Sequence, residues 1–234
     1  MMGKNMVFYD VDCTLTYRNE AFIFATELAK SDSIDRGAYA RLQEVEADWK
    51  KNAISQDTAL SLYITILSEG LKGRDVAEIT RIARDFSKTI EIREVLAAEI
   101  RELRHHGCST ALISGTPNIL LEQLYERLPA TYLTGADLPH QNGTFTGEKP
   151  NRFMTSDVKE QVVLGYIERG FVPFAGYGDS MGDMGILKHV LHPVAVNPRD
   201  ELAAEAKSRG WTIWRDGEKF TSVTEMIKRE TAEA

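Results

Sequence analysis

The sequence predicts an α/β fold, in which a Rossmann-like, doubly wound and mostly parallel sheet carries an inserted all-helical cap domain. From residue 92 onwards, short apolar runs alternate with helical patterns, and this alternation is typical of parallel sheets covered by helices on both faces. Residues 17–87, which follow the first strand, carry helical patterns alone. A chain of 234 residues is about one and a half ordinary domains long. We therefore assign residues 1–16 and 88–234 to the core and residues 17–87 to the cap.

The first strand and the cap are predicted from apolar spacing. The run Met6-Val7-Phe8-Tyr9 ends abruptly at Asp10, as a buried strand does when it enters a polar loop. Four helices follow, each with apolar side chains at helical spacing, and glycines separate several of them. These helices are predicted over residues 21–30, 39–50, 58–68 and 75–86. They cannot lie in the layer of the sheet, so they form a cap.

The core elements follow from the same patterns and from turn residues. Asn142-Gly143 predicts a β-hairpin turn of type I′. Pro117 suits the first turn of a helix over 119–128, and Ser156 or Asp157 is expected to cap a helix that ends at Arg169. The other helices are predicted over 92–106, 184–190 and 201–209, the strands over 110–113, 172–177, 194–196 and 212–214, and the tail 230–234 is expected to fray.

Composition narrows the classes of partner. The formal net charge of −7 argues against nucleic acid or an anionic membrane as the main partner, but it does not exclude a small anionic substrate. Cys13 and Cys108 are too few for a disulfide framework or a zinc cluster. The start lacks the apolar region of a signal peptide, and no apolar run approaches the ~20 residues of a membrane span. We expect a soluble, cytoplasmic protein, and the sequence does not indicate its oligomeric state.

Three polar clusters follow three predicted strands. They lie at residues 10–14, 114–116 and 178–183. In open parallel sheets, ligands bind at the carboxyl ends of the strands. We therefore expect the three clusters to converge on one site.

The acids in these clusters indicate a metal. Asp10 and Asp12 lie two residues apart, and two neighbouring carboxylates tolerate closeness only with a proton or a cation between them. Asp179 arrives from another strand end. Oxygen ligands with few histidine or cysteine residues nearby favour a hard ion such as Mg²⁺. The predicted metal residues are Asp10, Asp12 and Asp179.

Phosphoryl transfer fits this set of residues. One carboxylate can attack phosphorus while a second supplies the proton that the leaving alkoxide needs. Ser114 and the backbone N–H of Gly115, before a helix, are expected to hold an anion. A lysine is needed to balance charge, and we choose Lys159, with Lys149 as the alternative.

The motifs resemble those of the haloacid dehalogenase superfamily. The helical insertion resembles the cap of its phosphoserine-phosphatase-like branch, and so does the stretch from His192 to Pro198. The resemblance covers nearly the whole chain. It rests on Asp10-Val11-Asp12-Cys13-Thr14-Leu15-Thr16, Ser114-Gly115-Thr116, Lys159 and Gly178-Asp179-Ser180-Met181-Gly182-Asp183.

The resemblance implies a role for each residue. Asp10 is the expected nucleophile, and it forms an aspartyl-phosphate. Asp12 is expected to protonate the leaving group, to activate water afterwards, and to bind Mg²⁺ through its backbone carbonyl. Asp179 is the expected carboxylate ligand, supported by Asp183. The remaining two, Ser114 and Lys159, are expected to hold the phosphoryl group. True dehalogenases of the superfamily lack the second aspartate, so Asp12 favours phosphate-ester chemistry.

The sequence departs from the phosphoserine-phosphatase pattern where that pattern grips serine. The pattern has glutamate at the position of Asn19, and here Glu20 stands one place late. Tyr63 replaces a cap arginine, Thr116 and Cys13 replace a glycine or a small residue, and Gly182 replaces an asparagine. We predict a phosphatase of a small phosphorylated metabolite that is not tuned to phosphoserine.

Two alternatives remain open. A phosphotransferase would use the same aspartyl-phosphate and pass the group to another alcohol. A phosphate-binding protein without turnover is the alternative from a different class. Asp12 argues against the second alternative, because a binder has no use for a proton donor.

Overall fold

A six-stranded parallel sheet lies at the centre of the protein, in a computed structural model that describes residues 4–226. The strands of the chain are β1 (Lys4–Tyr9), β2 (Ser109–Pro117), β3 (Tyr132–Ala136), β4 (His140–Gln141), β5 (Thr144–Phe145), β6 (Phe171–Gly178), β7 (His192–Val196) and β8 (Thr212–Trp214). The order in the sheet is β3-β2-β1-β6-β7-β8. The chain thus builds outwards from β1 in both directions, which confirms the predicted Rossmann-like architecture and makes β1 the topological switch point.

Helices cover the sheet and fill the interval between β1 and β2. They are α1 (Glu20–Lys30), α2 (Arg36–Lys50), α3 (Gln56–Gly70), α4 (Val76–Ser87), α5 (Glu94–His105), α6 (Asn118–Leu121), α7 (Ser156–Glu168), α8 (Met184–Leu187) and α9 (Asp200–Arg209). Side-chain caps begin the first four, from Asn19, Asp35, Ser55 and Asp75. The helical insertion is present as predicted, and residues 17–87 as a separate domain stay a prediction.

The side chains of β1 point alternately to the two faces of the sheet and are buried on both. Met6 and Phe8 pack in one cluster with Val163 of α7 and Ile186 of α8. The neighbouring residues Val7 and Tyr9 point to the opposite face, in a cluster that contains the apolar side of α5. Successive side chains of a strand point to opposite faces, so the apolar run of β1 is buried throughout.

The region after β2 corrects two predictions. The helix expected over 119–128 is shorter, because α6 ends at Leu121 and a single 3₁₀ turn, Glu122–Leu124, follows. Pro129 disfavours helix at the residue before it, although Leu128 is buried as the apolar spacing required. Pro117 is both the last residue of β2 and the N-cap of α6, so it directly precedes the first turn of the helix rather than lying in it. Strand β3 was not predicted, since its segment is short, mixed in polarity and contains Gly135.

Other boundaries differ more modestly. The helix predicted from residue 92 begins at Glu94, because Ile92 pairs with Thr16 in a β-bridge. The helix predicted over 184–190 ends at Leu187. Neither Ser156 nor Asp157 caps α7, whose N-cap is Thr155, and Ser156 Oγ instead accepts a hydrogen bond from Gly185 N at 3.0 Å.

The predicted hairpin is confirmed, and it contacts the helical insertion. Asn142 and Gly143 have φ values of 51° and 76°, and two successive positive φ values are typical of a type I′ turn. Gly73 N donates to Phe145 O at 2.9 Å, and Val76 N donates to Gly143 O at 2.8 Å. The hairpin therefore holds the loop before α4 by backbone hydrogen bonds.

Two further expectations concern the whole chain. Within residues 4–226, none of the helices combines the length and the apolar character that crossing a bilayer requires. The fraying expected at residues 230–234 lies outside the described residues.

Substitution of Gly185 tests the packing of α8 on α7. A Cβ atom at this position would lie 2.0 Å from Ser156 O and 2.7 Å from Glu160 N, and neither backbone atom can yield easily. We expect Gly185→Ala to lower the free energy of unfolding by about 1–3 kcal/mol, measured by urea denaturation.

The matched control is Gly165→Ala, in the adjacent helix α7. A Cβ atom at Gly165 meets nothing within 4 Å, so alanine should raise the free energy of unfolding by roughly 0.5–1 kcal/mol. Equal effects of the two substitutions would contradict the close contact at Gly185.

Candidate active site

The three polar clusters converge at the carboxyl ends of β1, β2 and β6, as predicted. These strands are neighbours, with β1 between the other two. Asp10 directly follows β1 and donates its backbone N–H to Tyr177 O at 3.0 Å. Asp179 directly follows β6, and Ser114 lies in the last part of β2. All three side chains are buried.

A tight loop after β1 sets the position of Asp12. The carbonyl oxygen of Val11 accepts backbone hydrogen bonds from Thr14, Leu15 and Thr16 at 3.2, 2.9 and 3.0 Å. Cys13 has a φ of 62°, in the left-handed region that favours glycine. The chain therefore reverses immediately after Asp12.

Arg93 holds this loop from outside the site, and the sequence analysis did not identify it. Its Nη1 donates to the carbonyl oxygens of Cys13, Thr14 and Thr16 at 2.7, 2.9 and 2.5 Å. Its Nε pairs with Asp216 at 2.9 Å. No motif marks Arg93, because its partners are backbone atoms and a distant acid. The guanidinium satisfies carbonyls that would otherwise be buried without donors.

Three acids and one lysine form a buried cluster. Carboxylate oxygens of Asp10, Asp179 and Asp183 lie within 4.8 Å of one another. Lys159 Nζ contacts Oδ1 of Asp10 and Oδ1 of Asp183, both at 2.7 Å. The other oxygen of Asp183 accepts from Asp179 N, Ser180 N and Ser180 Oγ at 3.0, 3.1 and 3.1 Å. Among the described residues, none donates a hydrogen bond to the Asp179 carboxylate.

The cluster carries more negative charge than its lysine balances. Burial first, and the charge of Asp183 second, raise the pKa of Asp10 to about 7, although Lys159 opposes this rise. Burial, Asp183 and Asp10 raise the pKa of Asp179 well above its usual value. Burial lowers the pKa of Lys159, but the two carboxylates outweigh it, so the pKa is raised and the lysine is protonated. When all three carboxyl groups are ionised, one ammonium leaves two negative charges, which a divalent cation would balance.

Asp12 occupies a different environment from Asp10. Its Oδ2 accepts a hydrogen bond from Thr116 Oγ1 at 2.8 Å, and its Oδ1 accepts from Glu20 N at 2.8 Å. Burial raises the pKa of Asp12, although these two hydrogen bonds oppose the rise. The side chain of Asp12 therefore lies outside the acid cluster, in a place where it can carry a proton.

The structure brings together the other predicted residues, with one exception. Ser114, Gly115 and Lys159 all line one cavity with Asp10, Asp12 and Asp179. Ser114 Oγ donates to Thr116 Oγ1 at 2.9 Å. The following helix, α6, has four residues, so its dipole contributes little to an anion site. The alternative lysine, Lys149, is absent from the residues that line this cavity, and its Nζ lies 5.3 Å from the ring of Phe153.

Side chains of the helical insertion form part of the cavity wall. The sequence analysis did not predict that these side chains line the site. A Cβ atom at Gly115 would lie 2.5 Å from Leu60 Cδ1, and one at Gly182 would lie 2.9 Å from Gln56 Nε2. Asn19 also lines the cavity, whereas Glu20 does not. The cavity volume is about 60 Å³, which holds only a few water molecules.

A buried acid cluster with one lysine, at the switch point of a Rossmann-like sheet, suits the chemistry of phosphate esters. Residues 7–188 match the model of the haloacid dehalogenase-like hydrolase family. The chain belongs to this family, in its phosphoserine-phosphatase-like branch.

Known proteins agree with this assignment. The chain is 25% identical over 224 residues to a histidinol-phosphatase of Neisseria meningitidis, covering 90% of this chain and 98% of that relative. It is 27% identical over 217 residues to phosphoserine phosphatase SerB1 of Mycobacterium tuberculosis, covering 88% and 69%. A protein of unknown function from Bordetella pertussis has a similar fold, with a TM-score of 0.75 at 19% identity, over 91% of this chain and 98% of that one. A substrate-bound phosphoserine phosphatase has a TM-score of 0.67 at 17% identity, over 98% and 99%.

The surplus charge predicts how stability depends on pH in the absence of metal. The folded-state pKa of Asp10, about 7, exceeds the unfolded value of about 3.9. Between these values the folded state keeps a proton that the unfolded state releases, so the free energy of unfolding falls as pH rises. Asp179→Asn removes one charge of the cluster. At pH 8 in EDTA it should raise the free energy of unfolding by on the order of 1 kcal/mol, or about 2–4 °C in Tm.

The control for this prediction is Asp48→Asn, at an exposed acid of α2 outside the cavity. It should leave the Tm unchanged at both pH 5 and pH 8. A metal-free Asp179→Asn protein that is less stable than the wild type at pH 8 would show that the cluster carries no surplus charge.

Proposed function

We propose that the protein is a Mg²⁺-dependent phosphomonoesterase that hydrolyses the phosphate ester of a small metabolite through an aspartyl-phosphate intermediate. The observation that carries the proposal is the division of the two acids that follow β1. Asp10 lies in the cluster with Lys159 at 2.7 Å, while Asp12 faces Thr116 and the start of α1. A nucleophile and a proton donor need such different surroundings.

The residues present fit a divalent ion. Asp10 and Asp179 are buried, share two uncompensated negative charges with Asp183, and offer only oxygen ligands, which Mg²⁺ prefers. These two carboxylates and the backbone carbonyl of Asp12 would hold it, with Asp183 in support. When bound, Mg²⁺ supplies positive charge that stabilises the phosphate oxygens during transfer.

The first half of the reaction forms the covalent intermediate. An oxygen of the Asp10 carboxylate attacks phosphorus, and the bond between phosphorus and the ester oxygen breaks. Protonated Asp12 gives its proton to the leaving oxygen, so the alcohol departs neutral. Ser114, the N–H of Gly115 and Lys159 hold the transferring phosphoryl group, which is positioned by the cavity they line.

The second half returns the enzyme to its starting state. Asp12, now ionised, takes a proton from a water molecule, whose oxygen attacks phosphorus. The bond between phosphorus and Asp10 breaks, inorganic phosphate leaves, and the carboxylate of Asp10 is restored. The raised pKa of Asp12 lets one group act as acid and then as base near neutral pH.

Substitution of the two acids separates their roles. With p-nitrophenyl phosphate and Mg²⁺, Asp10→Asn should lose more than about 10³-fold in kcat, because no nucleophile remains. Asp12→Asn should lose about 10²–10⁴-fold in turnover while releasing one burst of p-nitrophenolate, since this leaving group needs no proton. Intact-mass measurement should then show one added phosphoryl group in Asp12→Asn and none in Asp10→Asn. An Asp10→Asn variant with wild-type turnover would refute the nucleophile.

Metal removal and product analysis complete the test. EDTA should abolish phosphate release and added Mg²⁺ should restore it, because two negative charges of the cluster are otherwise unbalanced.

In the presence of glycerol, a phosphatase releases inorganic phosphate in step with the alcohol product, whereas a phosphotransferase yields glycerol phosphate. We expect inorganic phosphate as the main product.

A further inference from the structure

The helical insertion contributes one wall of the cavity, here called the leaving-group wall and formed by Phe22, Trp49, Gln56, Asp57, Leu60 and Tyr63. Gln56, Leu60 and Tyr63 are spaced four and three residues apart along α3, so they share one face of that helix. This wall and the acids line the same cavity. It therefore meets whatever group the phosphate is attached to.

Aromatic rings dominate this wall. The ring centroids of Phe22 and Trp49 lie 5.9 Å apart, and those of Phe22 and Tyr63 lie 4.8 Å apart in an edge-to-face arrangement. Tyr63 donates its hydroxyl to the carbonyl oxygen of Ala21, so it offers the cavity a ring rather than a free hydroxyl. Such a surface favours planar, polarisable groups over short aliphatic ones.

The charge of this wall is negative. Asp57 is its one ionisable carboxylate, and Oδ1 of Asp57 accepts a hydrogen bond from Ser156 N at 3.2 Å. Among the described residues, none donates a hydrogen bond to its other oxygen, Oδ2. The only lysine or arginine that lines the cavity within residues 4–226 is Lys159, which is engaged by Asp10 and Asp183. A carboxylate on the leaving group would therefore find repulsion here, whereas an ammonium group would find a partner.

A groove continues from the cavity to the surface and gives the leaving group room. Trp49, Gln56, Asp57 and Gly182 line both spaces, and the groove has a volume of about 640 Å³. The guanidinium carbon of Arg199 lies 3.8 Å from the centroid of the Trp49 ring, in the groove and outside the cavity. Arg199 is thus stacked on Trp49, and its positive charge also opposes the rise in the pKa of Asp179.

We propose that the substrate is a phosphate monoester whose alcohol carries a planar ring and an ammonium group, without a carboxylate. The inference rests on the proposed function and narrows its substrate class. The ring lies against Trp49 and the ammonium group pairs with Asp57, and both of these residues line the groove as well as the cavity.

A panel of four esters tests the ring and the charge separately. L-histidinol phosphate has both groups, 2-phenylethyl phosphate has the ring alone, O-phosphoethanolamine has the ammonium group alone, and O-phospho-L-serine adds a carboxylate. Each favourable feature should raise kcat/KM about tenfold, so L-histidinol phosphate should be hydrolysed best and O-phospho-L-serine worst. A kcat/KM for O-phospho-L-serine that equals or exceeds the others would overturn the proposal and place a substrate carboxylate against Arg199.

Asp57→Asn tests the proposed partner of the ammonium group. Asparagine keeps the shape and the acceptor for Ser156 N but removes the charge. The ratio of kcat/KM for L-histidinol phosphate to that for 2-phenylethyl phosphate should fall about tenfold. Asp48→Asn, the same change at an exposed acid one residue before Trp49, should leave this ratio unchanged. An unchanged ratio in Asp57→Asn rejects the assigned partner.

Trp49→Leu tests the ring contact. The ratio of kcat/KM for 2-phenylethyl phosphate to that for O-phosphoethanolamine should fall several-fold, and an unchanged ratio rejects the contact. If circular dichroism shows that Trp49→Leu does not fold, the proposed substrate class is tested by the ester panel and by Asp57→Asn.

Acetyl phosphate separates this inference from the proposed function, because its acetyl group carries neither ring nor charge. If acetyl phosphate is hydrolysed in an Asp10-dependent way but the esters do not follow the expected order of kcat/KM, the substrate class alone is overturned. Absence of hydrolysis for acetyl phosphate and for every ester overturns both.

Discussion

The contact of one buried ammonium group with two carboxylates organises the whole active site. Lys159 reaches from α7 to Asp10 and Asp183 at 2.7 Å each, and it thereby joins the ends of β1 and β6 to the helix that covers them. A buried charge is tolerated only when it is paired and hydrogen-bonded, so the ammonium group and the two carboxylates require one another. Because Asp179 adds a further negative charge, the cluster is incomplete without a cation. The fold is thus arranged around a deficit of positive charge, which a divalent metal ion would meet and which an anionic phosphate group would otherwise deepen.

Much of this arrangement could be predicted from the sequence, because parallel strands bring their carboxyl ends to one edge. The acids at 10, 12 and 179 each follow an apolar run, and that order alone indicated their convergence. Strand β3 escaped prediction because it lies at the sheet edge, where partial exposure weakens the apolar pattern. The role of Arg93 was not predicted because its partners are backbone carbonyl oxygens of a loop that is distant in the sequence. Every residue type has such a carbonyl, so the sequence does not indicate which loop Arg93 contacts. The leaving-group wall was not predicted either. Aromatic residues at helical spacing indicate burial, but the spacing does not show which of them line a site.

Close approach of the helical insertion to the core depends on the absence of two side chains. Gly115 and Gly182 belong to different motifs, yet a Cβ atom at either would collide with α3, at Leu60 and Gln56 respectively. These glycines therefore allow the leaving-group wall to come down on the phosphate side of the cavity. The packing that encloses the acids therefore also forms the wall that we propose contacts the alcohol.

The helical insertion is attached to the core in different ways at its two edges. On the α4 side, backbone hydrogen bonds from Gly73 and Val76 tie it to the hairpin, and Arg127 Nη1 donates to the carbonyl oxygens of Ser87 and Ile90 at 2.9 and 2.7 Å. On the α2–α3 side, the contacts around the groove are made by side chains, with Trp49 against Arg199. Side chains exchange partners by rotating, whereas backbone ladders must break together. The edge at Trp49 is therefore held by contacts that side-chain rotation alone can release, whereas release of the α4 edge requires backbone hydrogen bonds to break.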